Sequence, residues 1–218
     1  MLLRPAAVAT LLFALTAVPA SAGSVSGRLY MTARAQAADS AGRTGALKQL
    51  QAGVLDAVVS IDPAPAKLEK KLNHAAAHSR VTPSIDQAHM QFNPRVMVVA
   101  AGDSVRFTNL DTLYHNVFSV STACHFDVGR MRPGSADTVR FDRPGVINLH
   151  CELHPEMIGY VVVLPNRVFT RPDSLGTFVL PKLPRGHYTL HAWHPRGGAV
   201  ARDFDVPRHG ATHLSLTF

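Results

Sequence analysis

The sequence predicts an all-β fold made of two small sandwiches, on three observations. Short alternating or β-branched runs recur along the chain. Gly and Pro turns separate them at short intervals, and only one segment carries a helical pattern. Residues 25–30 alternate, and residues 54–61 form a β-branched run that Asp62-Pro63 ends. Between them, residues 34–53 are rich in Ala, Gly, Gln and Ser and are expected to form a loop with a helical turn. Residues 66–78, with Leu68, Leu72 and several Lys and Ala, are the expected helix, closed by Thr82-Pro83, so that 66–83 reads as a helical linker. His74 and His78 stand four apart on that helix, a spacing that suits either two solvent-facing side chains or a metal on one face. From Gln91 onward the strand signals become regular: 96–99, 105–107, 118–120, 138–141, 146–150 and 160–164. Ala101-Gly102-Asp103, Gly134, Pro144-Gly145 and Pro165 punctuate them. Residues 84–164 are therefore expected to enclose a two-sheet core of their own.

The remaining strands need each other. Residues 178–180, 187–193, 204–206 and 213–218 read as strands, and 187–193 alternates, with Tyr188, Leu190 and Ala192 on one face. A sandwich of about 53 residues has a marginal core. Joining these strands to the two orphan N-terminal ones gives a discontinuous domain, 23–65 plus 165–218, with 84–164 inserted into it. The rival layout is tandem, with an irregular N-terminal arm.

The N-terminus has a different character. Arg4, an apolar run over 6–18 and Ala20-Ser21-Ala22 match a secretory signal peptide over 1–22, cleaved after Ala22. The run is short for a membrane span, and no later segment is long and apolar enough to be one. A periplasmic or secreted chain without a membrane span is expected. The formal net charge is +7, but the basic residues are scattered, and only Lys67, Lys70 and Lys71 cluster. No basic run carries interleaved aromatics, so nucleic acid is not an expected partner; the charge serves solubility and steering towards acidic partners.

The chemistry concentrates in Cys151-Glu152-Leu153-His154-Pro155-Glu156-Met157. A thiolate, an imidazole three positions on and a thioether three beyond are soft ligands of the kind copper prefers. His115 can add a second imidazole from a neighbouring strand end. Two imidazoles and a thiolate with a weak axial Met make a blue-copper electron-transfer site. Zinc accepts the first three, but a thioether favours copper. Two cysteines in an exported chain pair by default; the position of Cys151 among metal ligands argues against a Cys124–Cys151 bridge. His150 and Cys151 are adjacent, so in a strand they face opposite sides, and His150 points away from the metal.

These motifs carry a resemblance. Ala101-Gly102-Asp103-Ser104-Val105-Arg106-Phe107-Thr108-Asn109, His115-Asn116-Val117 and the run from Gly145 to Met157 resemble the cupredoxins, in particular the amicyanin and plastocyanin group. The resemblance implies a Greek-key β-sandwich with one type 1 copper ion held by His115, Cys151, His154 and Met157. It also implies that Asn116 ties the two ligand loops together and that its backbone helps to hold the thiolate. The chain as a whole is similar to exported proteins labelled methylamine-utilisation-like, in the Asn116-Val117-Phe118-Ser119, Phe126-Asp127-Val128-Gly129-Arg130 and Trp193-His194 stretches. Cys124-His125 falls in an expected loop where that pattern has no ligand. The flanks, through Ser26-Gly27-Arg28-Leu29, residues 56–61, Gly176-Thr177-Phe178-Val179-Leu180-Pro181 and residues 184–190, resemble a transthyretin-like, carboxypeptidase-regulatory-like sandwich.

The expected function is single-electron transfer between redox partners that dock transiently near the exposed edge of His154, ringed by Leu113, Pro155 and Met131. Copper delivery or buffering is the first alternative, and a scaffolding sandwich with incidental copper the second. Catalysis is not expected: the chain has no His-x-His pair for a trinuclear cluster, Glu152 follows Cys151, and no second cysteine stands three residues away for a binuclear centre.

Overall fold

The computed structural model describes residues 23–32, 54–79 and 81–218, within which sixteen strands and one helix form four sheets. The expected signal peptide over 1–22 and loop over 34–53 lie outside the described residues. The N-terminal elements are β1 (Ser24–Tyr30), β2 (Val58–Ile61) and α1 (Ala66–Ala77). The central strands are β3 (Ser84–Ala88), β4 (Gln91–Asn93), β5 (Val96–Ala100), β6 (Asp103–Asn109), β7 (His115–Ser121), β8 (Cys124–Met131), β9 (Ala136–Phe141), β10 (Gly145–His150) and β11 (Ile158–Leu164). The C-terminal strands are β12 (Phe169–Thr170), β13 (Thr177–Val179), β14 (Gly186–His194), β15 (Gly198–Val206) and β16 (Ala211–Thr217).

The central strands make two sheets, β5-β11-β10-β7-β8 and β4-β3-β6-β9. Between them lie Phe107, Phe141, Ile147, Leu149, Val117 and Val161, all fully buried. Strand alternation accounts for this: in β10, Ile147 and Leu149 point inward while Asn148 faces solvent, as period two requires. The other strands make sheets β13-β1-β16 and β12-β2-β14-β15 around a separate core of Leu29, Ile61, Phe178 and Leu190. Here the first and last strands of the described residues meet. β1 runs parallel to β16 from Ser24↔Ala211 to Tyr30↔Thr217, and β2 pairs antiparallel with β14 from Leu190↔Ile61 to Trp193↔Val58.

The strand expected over 54–61 is shorter. Residues Val54–Asp56 form a 3-10 turn in which the Ala57 amide donates to Val54 O, and the strand begins at Val58. Asp56 is drawn into an ion pair with Arg95 (2.7 Å), which fixes this corner against the central unit. The loop expected around Cys124-His125 is the start of β8.

An apolar seam of Val58, Val96 and Val162, lined by Tyr160 and Trp193, joins the two sandwiches. The Tyr160 and Trp193 rings meet edge-on at 5.5 Å, and the Arg95 guanidinium lies over Tyr160. Arg171 donates to Val96 O and Leu55 O, and Arg167 pairs with both oxygens of Asp103. Burial alone would raise the Asp103 carboxyl, but the Arg167 donors, the Ala100 amide and the charge of Arg140 outweigh it and hold the group below its ordinary value. A carboxyl depressed in the folded state stabilises the fold fully above its unfolded pKa and loses that contribution as pH falls towards its folded one. Stability of the wild type and of Asp103→Asn, measured by denaturant titration, should therefore differ at pH 6 and converge as pH falls below about 4. A gap that is constant with pH would rule out the linkage.

Among the described residues, no helix is long and apolar enough to cross a membrane.

Candidate metal centre

Three ligand atoms converge at one end of the central sandwich. His115 opens β7 and is fully buried, on the inward phase it shares with Val117 and Ser119. Cys151 follows β10 in the inward phase of Ile147 and Leu149. The loop then turns back, with the Met157 amide donating to His154 O at 2.9 Å, and this brings His154 over both. His115 Nδ1 lies 2.9 Å from His154 Nδ1, and Cys151 Sγ lies 3.9 Å and 3.7 Å from those two nitrogens. A point equidistant from the three atoms is about 2.1 Å from each, within the ~2.0–2.3 Å range of metal bonds to imidazole nitrogen and thiolate sulfur. The two nitrogens and the sulfur thus converge on a single point, as ligands of one ion must. The donor set therefore fits a metal ion, and it is the one such group of three found among the described residues.

The surroundings fix which nitrogen faces the metal. His115 Nε2 lies 2.8 Å from Asp111 Oδ2. A carboxylate only accepts, so Nε2 carries the proton, and Nδ1 of the neutral ring keeps its lone pair for the metal. Asp111 also accepts from the His89 and Met90 amides, at 2.8 Å and 2.9 Å. Partial burial pushes the Asp111 carboxyl up, but the Met90 amide, the His115 ring and the His89 amide together bring it below its ordinary value, which keeps it ionised as an acceptor. Those two amides belong to a tight β3–β4 turn in which His89 (φ 54°) and Met90 (φ 55°) both adopt the left-handed conformation unusual for side-chain-bearing residues. Asp111 thus clamps a strained turn and a ligand ring at once. Asn109 holds the connecting loop by donating to Leu113 O and Met131 O.

Asn116 Oδ1 accepts from the Glu152 amide at 2.6 Å, which links the His115 strand to the Cys151 loop. A register shift between β7 and β8 at Asn116/Phe118 marks a bulge, and Gly129 (φ 70°) supplies the left-handed residue it needs. Such a bulge adds local twist to the strand pair beside His115.

The other expected positions sort clearly. Met157 is buried in the same core as Cys151. His150 faces away, its ring tilted against Phe118 at 5.7 Å. Both cysteines are free, and burial raises the Cys124 thiol above its ordinary value despite Arg143 nearby. Met131 is only 3% exposed and its sulfur accepts from Gln87 Nε2, so it cannot belong to an exposed ring around His154. Leu113 and Pro155 are exposed, and so are Met90, Leu110, Tyr114 and Leu153. Asp111 is a functional residue that no local motif in the sequence marks.

Replacing Asp111 with Ala should weaken copper binding by roughly 10–100-fold, the usual cost of removing a group that orients a ligand histidine. Competition with a chelator of known affinity measures it, and an unchanged constant would remove Asp111 from the site.

Residues 79–164 match the model of the copper-binding proteins of the plastocyanin/azurin family. Amicyanin-alpha of Methylorubrum extorquens is 35% identical over 79 residues, which span 35% of this chain and 66% of that protein. A solved methionine-to-alanine variant of amicyanin in the Cu(I) state is 28% identical, covering 41% of this chain and 89% of the other, with a TM-score of 0.37. A purple cupredoxin from Nitrosopumilus maritimus is 22% identical over 38% of this chain and 99% of its own, with a TM-score of 0.35. Residues 79–164, the stretch that carries His115, Cys151 and His154, are therefore cupredoxin-like, matching the plastocyanin/azurin family of copper-binding proteins.

Proposed function

We propose that this protein is an exported carrier of single electrons with one type 1 copper site, in which His115, Cys151 and His154 form the trigonal set and Met157 supplies the weak axial sulfur. The observation that carries the proposal is the triangle of two Nδ1 atoms and one Sγ around a point at metal-bond distance. Copper held by such ligands accepts and returns one electron with little change of geometry. The chain's part is to hold that geometry in both states. Asp111 fixes the His115 ring, Asn116 fixes the Cys151 loop, and the apolar core behind Cys151 and Met157 excludes water.

His154 is half-buried, unlike His115, and its loop neighbours Leu153 and Pro155 are exposed. With Leu113 and Tyr114 they give an apolar rim on which a redox partner docks transiently, with His154 as the way in and out for the electron. No catalytic role is assigned to the protein. Export to the periplasm is supported by the basic, apolar and Ala-x-Ala segments of residues 1–22. For the domain layout, the pairing of β1 with β16 and of β2 with β14 supports one discontinuous flanking domain, 23–65 plus 165–218, around the copper-binding one.

The deciding experiment is an optical and paramagnetic resonance spectrum of the copper-loaded protein, followed by repeated reduction and reoxidation. An intense visible thiolate-to-copper band that survives the cycles, with copper retained, is expected. A colourless cupric protein would defeat the proposal, and release of copper on reduction would favour delivery over transfer.

A further inference from the structure

A second pair of imidazoles lies well away in the chain from the buried centre. His74 sits in the last turn of α1 and His78 caps it, and both are exposed. Their rings stack, with centroids 4.2 Å apart and planes 29° from parallel. Residues four apart are neighbours on a helix surface, so the two rings share one face of α1. His78 Nδ1 lies 2.7 Å from His74 O, a backbone carbonyl that can only accept, so Nδ1 carries the proton. Nε2 of the neutral His78 ring therefore keeps its lone pair and presents it outward. Ligand histidines are commonly prepared in this way, by donating their other N–H to a carbonyl.

The local field acts in two directions. The C-terminal end of a helix carries partial negative charge and attracts cations. Lys70 and Lys71, one turn earlier on the same helix, oppose them. The balance suits a weak, exchanging ion rather than a resident one.

We propose that His74 and His78 form a solvent-facing site for a divalent transition-metal ion, with water completing the coordination. Imidazoles without thiolate suit Cu(II), Ni(II) and Zn(II), and the affinity order of these ions favours Cu(II). The site differs in kind from the buried one: two nitrogens instead of a nitrogen and sulfur set, and open instead of closed. It offers cupric ion an exposed landing point on a chain whose permanent centre is dry.

The test uses the protein with its buried centre already filled with copper, titrated with further Cu(II) and followed by calorimetry and paramagnetic resonance. Wild type should take up one more equivalent, with a tetragonal, nitrogen-ligated signal distinct from that of the buried site. His74→Ala and His78→Ala should each weaken this uptake at least tenfold, and the double variant should abolish it. Both side chains are exposed, and neither touches the buried centre, so its visible band should remain unchanged in every variant. Uptake that persists in the double variant, that is lost instead in Cys124→Ser, or that never occurs in wild type would overturn the proposal.

Discussion

Cys151→Ser should abolish the intense visible band expected of the copper-loaded protein and weaken copper binding by more than the roughly 10–100-fold that loss of a supporting group costs. Two effects combine. The hydroxyl is not a thiolate, so the charge-transfer transition has no donor orbital. The site also loses the one anion among its proposed ligands, and two imidazoles with a thioether hold copper less firmly than the complete set. Cys124→Ser is the control. Cys124 opens β8, and its thiol is raised above its ordinary value by burial, so it is no reserve thiolate. Its replacement should leave the band and the affinity as they are. If Cys151→Ser kept the colour, or Cys124→Ser lost it, the ligand set proposed here would have to be redrawn. Optical spectra of the two variants loaded side by side decide the matter.

The thiolate loop was legible because its information is local. Cys151 and His154 stand only three positions apart, and period-two alternation through β10 places Cys151 inward and His150 outward without any knowledge of the fold. His115 needed only a strand end nearby. Asp111 was not legible, because its role depends on two unions made in space. It accepts from His115 Nε2 and from a turn some twenty residues earlier in the chain. The same fact hid the β3–β4 hairpin. His89 and Met90 take left-handed conformations without glycine or asparagine, and the stabilising acceptor comes from a different loop, so no turn signal exists in the local sequence.

β8 was hidden for another reason. Phe126 and Val128 follow one alternation and pack against the core, whereas Met131 is buried on the opposite parity. The bulge that Gly129 permits resets the phase between them, so the stretch does not read as one alternating strand. The strand expected over 54–61 erred in the opposite direction. Val54 and Leu55 look like strand residues, but the chain must turn there to deliver Asp56 to Arg95. The seam between the sandwiches, built on Val58, Val96 and Val162, was likewise beyond reach, since valines facing a second sheet cannot be told from valines facing their own core.

That seam bears on the second large effect. Phe178→Ala should destabilise the protein by about 3–5 kcal/mol, the usual range for removing a buried phenyl ring. Phe178 is 1% exposed and lies across from Gly27 in the β1–β13 pair. A Cβ at Gly27 would come within 2.6 Å of the ring, so the ring fills the space that the glycine leaves and no neighbour can easily collapse into the cavity. Such a loss is a large share of the roughly 5–15 kcal/mol of a typical domain. The ring is in the flanking sandwich, and copper is in the other, so the two can be followed separately. Trp193, the single tryptophan of the sequence, stands on β14 with its ring in the seam, so its fluorescence reports on the flank and its contact with the other sandwich, and the visible copper band reports on the centre. The apolar seam, the Arg95–Asp56 pair and the Arg167–Asp103 pair tie the units together, and the chain passes between them at two places. In denaturant both signals should therefore move to lower concentration together in Phe178→Ala, as coincident transitions require of a single cooperative unit. If the fluorescence transition moved while the copper band held its midpoint, the sandwiches would be independent, and the seam would be a contact without energetic consequence.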